Sequence, residues 1–92
     1  MPKSSHQPNP FEPFGSDPDF KYVARLLTHL REERARQGIS LRELAAKSEI
    51  SFALLSRGER LERIPAMVYL RKWVRGLGLD WLAVCKQAEI ED

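Results

Sequence analysis

Cysteine occurs once in the 92 residues, at Cys85, so no disulfide can close within the chain. Its neighbours Ala83, Val84 and Ala88 mark it as a small apolar packing residue rather than a nucleophile or a metal ligand. No apolar run approaches the ~20 residues of a membrane span. The polar, proline-rich start has no apolar stretch of the signal-peptide kind, and the expectation is a soluble, cytoplasmic protein. Histidine is scarce: His6 lies among the early prolines and His29 in a helical segment, at an ordinary surface or boundary position. There is no glycine-rich phosphate loop, no metal-ligand cluster and no nucleophile beside a base, so catalysis is the weakest class and no cofactor or metal is expected. Strand-like alternation and internal repeats are also missing.

Charge is present but unevenly spread. Residues 1–19 carry one Lys against three acidic residues, and residues 76–92 one Lys against four, for net charges of −2 and −3. Between them, residues 20–75 carry thirteen Lys and Arg against six Glu, a net +7 hidden inside an overall +2. A basic middle between acidic ends suits a polyanion partner; a solvated helix surface would look the same from charge alone.

Five of the six prolines fall within the first 18 residues, among Ser, Asn, Asp and His. Residues 1–16 are therefore expected to form a disordered arm, in which Phe11 and Phe14 are unusual and could anchor on the domain or on another protein. Residues 17–92 read as one helical domain. Asp17-Pro18 supplies an N-cap and a first-turn proline, and Phe20, Val23, Leu26, Leu27 and Leu30 follow on one face until Gly38. Ser40-Leu-Arg-Glu43 has capping-box form and starts a second helix, Leu41 to Ser48, with Leu41, Leu44 and Ala45 on one side. Ser51 caps a third helix, roughly Phe52 to Arg60. Pro65 is expected to open a fourth to about Leu77, burying Met67, Leu70, Trp73, Val74 and Leu77, with Gly76 and Gly78 loosening its end. Asp80 caps a fifth that starts at Trp81.

Only Glu49-Ile50-Ser51 separates the second and third helices, so the third must cross the second and leave its N-terminal half protruding. At this point the chain resembles the Cro/phage-repressor helix-turn-helix family. The resemblance rests on Leu30-Arg-Glu-Glu-Arg34, Gly38-Ile-Ser-Leu-Arg-Glu-Leu-Ala45, Ile50-Ser51, Leu55-Ser-Arg57, Glu59-Arg60, Pro65 and Leu77-Gly-Leu-Asp-Trp-Leu82, in register without a gap. It implies an all-α, compact five-helix domain like that of lambda repressor, binding double-stranded DNA as a bacterial or phage transcriptional regulator, hence associated with the nucleoid. By position it assigns base contacts to Phe52, Ala53 and Arg57. Backbone contacts fall to Ser51, Ser56, Arg60, Arg63 and Arg42, and a structural pair to Arg34 and Glu59. Arg57 has the chemistry for a bidentate contact with guanine, and Ala53 for a thymine methyl.

Four positions depart from the family pattern. Glu49 stands in place of the turn glycine, which puts a bulky residue where positive φ is required. Gly58 replaces a buried aliphatic residue; if it leaves a gap, Leu61 would fill it and Gly58→Ala would stabilise the helix by up to about 1 kcal/mol. Leu61 itself replaces a helix-ending glycine, and Leu41 a phosphate-reaching glutamine. Phe52-Ala-Leu-Leu55 offers few hydrogen-bonding groups to a DNA groove, which keeps open a second reading: a helix-turn-helix fold used as a protein-interaction module through its third helix and the Phe11/Phe14 arm. A second copy of the chain is a further expected partner, reading a palindromic site as a homodimer.

Overall fold

The computed structural model describes residues 17–89, and there the chain is five helices and connecting turns with no strand: α1 (Pro18–Gln37), α2 (Leu41–Ser48), α3 (Phe52–Glu59), α4 (Met67–Gly76) and α5 (Trp81–Glu89). The arm, including Phe11 and Phe14, lies outside the described residues.

The helix ends follow their caps. Asp17 Oδ1 accepts from the amides of Asp19 and Phe20 at 2.8 and 3.3 Å, and Pro18 occupies the first turn. Gly38, at φ 73°, closes α1, its amide and that of Ile39 bonding back to the last turn. At α2 both halves of the capping box form, Glu43 N to Ser40 Oγ at 3.0 Å and Ser40 N to Glu43 Oε1 at 2.8 Å. Asp80 Oδ2 takes the Ala83 amide at 2.9 Å to start α5.

α1 packs along α5, while α2 packs on α3 and α4. Between them lies one core: Leu26, Leu27 and Leu30 of α1, Leu44, Ile50, Leu55, Leu70, Trp73, Val74 and Leu77, with Val84 and Ala88 of α5. Polar side chains tie the layers where they meet. Tyr22 Oη donates to the Cys85 carbonyl at 3.1 Å, Arg25 Nε to the Ala88 carbonyl at 2.7 Å, and Gln37 Nε2 to the Leu77 carbonyl at 2.8 Å.

Three expectations are corrected here. α4 begins at Met67, not Pro65, and Ala66 before it is extended. Pro65 is instead buried, while Met67, expected in the core, stays 60% exposed. Gly58 leaves no gap and Leu61 fills none: a Cβ at Gly58 would lie 2.9 Å from Trp73 Cζ3, 3.0 Å from Cη2 and 3.5 Å from Pro65 Cγ. The indole of Trp73 already occupies that space. Nor does Gly76 loosen α4, since its missing side chain lets the helix press against α2, a Cβ there falling 2.8 Å from Ser48 Cβ.

Candidate nucleic-acid interface

The turn between α2 and α3 is built on a left-handed residue. Glu49 sits at φ 61° and ψ 37°, with its amide bonded to the Ala45 carbonyl, so the family's glycine geometry is kept by a glutamate. Ile50 then plugs into the core, and Ser51 Oγ accepts from the Leu54 amide at 3.1 Å. That bond uses the oxygen as acceptor and leaves the hydroxyl proton available to an anion.

α3 is only eight residues long, too short to be stable by itself, and is held from behind. Leu55 is fully buried, Gly58 lies against Trp73, and Glu59 is bound in a fork by Arg34. Arg34 Nε and Nη2 reach the two carboxylate oxygens at 2.6 and 2.9 Å, while Nη1 donates to the Ile39 carbonyl at 2.8 Å. The hydrogen-bonded Glu59 raises the Arg34 guanidinium above its ordinary value, against the opposing effect of partial burial. The pair therefore fixes α3 to α1 and to the turn before α2, and is not turned to solvent. Leu61, just past α3, adopts φ 58° with its side chain packed on the core.

The opposite side of α3 borders a groove of about 390 Å³ lined by Glu49, Ser51, Ala53, Leu54, Arg57, Arg63 and Tyr69. Four residues singled out from the sequence thus meet in one place: Ser51 and Ala53 at the start of α3, Arg57 one turn on, and Arg63 from the loop before α4. Two arginines and one glutamate line it, a net charge of +1 that favours an anion there. Arg42 and Phe52 lie outside the groove lining and pair with each other, the guanidinium 4.9 Å from the ring centroid. Arg60 is the C-cap of α3 and forms an exposed ion pair with Glu62 at 3.2 Å. Ser56 is half-buried and also outside that lining. Tyr69 was not anticipated. Its signal in the sequence is an aromatic residue off the buried stripe of α4, and it is 39% exposed.

Among the described residues no group of His, Cys, Asp and Glu is placed to hold a metal ion, and no helix is long and apolar enough to cross a membrane. Comparison with protein families matches a helix-turn-helix model to residues 30–82, more than half of the chain and the segment from the end of α1 into α5. Comparison with curated proteins and with solved structures finds no match. The matched segment contains the crossing helices, the capped turn and the groove, and the chain belongs to the Cro- and phage-repressor-like helix-turn-helix family of non-catalytic, DNA-binding regulators.

Proposed function

We propose that the protein is a sequence-specific transcriptional regulator that lays the exposed side of α3 in the major groove of double-stranded DNA. The observation that carries this reading is the groove beside α3, whose lining brings together Arg57, Arg63 and Ser51. In that pose Arg57 is the principal base reader, through guanine O6 and N7, and Ala53 meets a thymine methyl. Arg63 and the Ser51 and Tyr69 hydroxyls engage the backbone, whose contacts set position more than sequence. Ser56 and Arg60 are secondary, the first half-buried and the second shared with Glu62. A homodimer would place two such helices one helical turn apart on a palindrome. The test is titration of the chain against a selected duplex pool and a random duplex at two salt concentrations. Salt-sensitive binding with motif enrichment is expected; no enrichment would refute sequence-specific reading.

A protein-docking role is the second reading, favoured by the exposed apolar run of Ile64, Met67 and Val68 leading into α4. Sedimentation of the full chain and of a chain lacking residues 1–16, with and without duplex, separates the two. Assembly lost with the arm while duplex binding persists would assign Phe11 and Phe14 to a protein contact.

A further inference from the structure

Arg42 belongs to the first turn of α2 and Phe52 to the first turn of α3, yet the fold sets the guanidinium carbon over the ring, 4.9 Å from its centroid. This is the contact that holds Arg42. Among the described residues it has no carboxylate partner, because the adjacent Glu43 is turned back onto the Ser40 amide. A cation in the first turn of a helix is also opposed by the helix dipole, so the local backbone does not favour it there. The ring compensates through its negative face.

The geometry leaves Arg42 well suited to an anion. The guanidinium carbon lies over the ring, and among the described residues the five N–H donors of Arg42 have no hydrogen-bond partner. Phe52 is 42% exposed and immediately precedes Ala53 in the groove lining, so the pair flanks the surface that would meet DNA. A guanidinium already held over a ring loses less freedom on binding than one on a wandering side chain.

We infer that Phe52 is a positioning residue, whose ring holds the Arg42 guanidinium in place for a DNA phosphate beside the base pairs faced by α3. This rests on the DNA-binding reading and revises one assignment within it: Phe52 acts through Arg42, not by touching a base. The combined contact is sequence-independent, and it supplies phosphate affinity at a position where Leu41 brings no polar group.

The experiment uses the full chain and the variants Arg42→Ala, Phe52→Leu, Phe52→Tyr and Arg42→Ala/Phe52→Leu, titrated with selected and random duplex across a salt series. Arg42→Ala is expected to reduce the magnitude of the salt slope by about 0.9. Phe52→Leu keeps apolar bulk without a ring and weakens both duplexes alike, by roughly two- to fivefold. Added to Arg42→Ala it has no further effect, and Phe52→Tyr behaves as the parent. Equal losses from Phe52→Leu with and without Arg42, or a loss confined to the selected duplex, would overturn the inference and make the ring a base reader. The free protein provides a separate check: the Arg42 Hδ protons should show a ring-current shift that disappears in Phe52→Leu, and its absence would remove the pair. A chain that shows the shift but binds no duplex would refute the DNA reading, and the phosphate role with it.

Discussion

Gly58→Ala is the substitution for which local helix chemistry and tertiary packing give opposite signs. In an exposed helix the alanine would stabilise by up to about 1 kcal/mol, through propensity and a less flexible unfolded chain. Here the new Cβ would sit 2.9 Å from Trp73 Cζ3, where carbon atoms rest at about 3.5–4.0 Å, so the ring must retreat by at least about 0.6 Å. The atoms in the way are the far edge of a side chain, but that side chain is fully buried and has Pro65 beside it. Overpacking a closed core costs about 1–3 kcal/mol, which outweighs the propensity gain and leaves a net loss of about 1 kcal/mol. Denaturant unfolding of four proteins forms the assay: parent, Gly58→Ala, Trp73→Phe and the double variant. Phenylalanine withdraws the clashing edge, so in that background the same alanine is expected to stabilise, with a coupling energy of about 2 kcal/mol between the sites. Stabilisation by Gly58→Ala alone, or strict additivity of the two changes, would refute the close-contact argument.

Arg34→Met leaves the Glu59 carboxylate, 6% exposed, without its fork; unfolding should show a loss of about 2–3 kcal/mol, at or just below the range for a fully buried pair because Arg34 is itself 20% exposed. Arg57→Ala should lower discrimination between selected and random duplex by about 1–3 kcal/mol, while Arg63→Ala weakens both alike; equal loss on both duplexes for Arg57→Ala would remove it as a reader. Burial, with the contact to Cys85 second, pushes the Tyr22 hydroxyl up to about 12 from 10.0. The folded state therefore holds that proton more tightly, so its contribution is full below pH 10 and lost as pH rises from 10 to 12; Tyr22→Phe should flatten the melting temperature over that window. Glu49→Gly relieves a side chain at φ 61° and removes the groove's one carboxylate; stability should rise by up to about 1 kcal/mol and binding should strengthen on every duplex, an unchanged or weaker affinity counting against the groove as the DNA seat.

What was legible in the sequence was what is decided locally. Asp17, Gly38, Ser40 with Glu43, Ser51 and Asp80 each act within a few residues of themselves, and the helices begin or end where these residues stand. The positive φ of Glu49 was legible through the resemblance alone, because the family places its turn glycine at that position. The environment of Gly58 was not, because Trp73 fills it from fifteen positions away on another helix. Pro65 failed for a related reason: its preference for a first helical turn was overridden by a place for its ring in the core. At the interface, Arg57, Arg63, Ser51 and Ala53 were singled out by their positions in the family pattern, and the structure brings these four to one groove. Tyr69 and the Arg42–Phe52 pair depend on how α4 and α2 lie against α3, which no spacing along a single helix encodes.

The division of α3 into two sides has a consequence for how the protein tolerates change. A helix of two turns has little stability of its own, so its orientation is set by Leu55, by Glu59 against Arg34 and by the contact of Gly58 with Trp73, all directed at the fold. Of the groove-lining residues of α3, Ala53 and Arg57 are exposed and take no part in those contacts, while Leu54 is half-buried and also packs against the core. Substitutions on the exposed side therefore alter what is bound with little effect on unfolding, typically within about 0.5 kcal/mol. Substitutions on the buried side tilt or loosen the whole helix, and must register in stability and in DNA affinity together. Ser51 is the exception, because one oxygen both caps α3 and faces the groove. Its loss should cost about 1 kcal/mol of stability in addition to any phosphate contact, and Ser51→Asp distinguishes the two roles. Aspartate preserves the cap while placing a negative charge against DNA, so an intact fold with abolished binding would locate the DNA backbone at the start of α3.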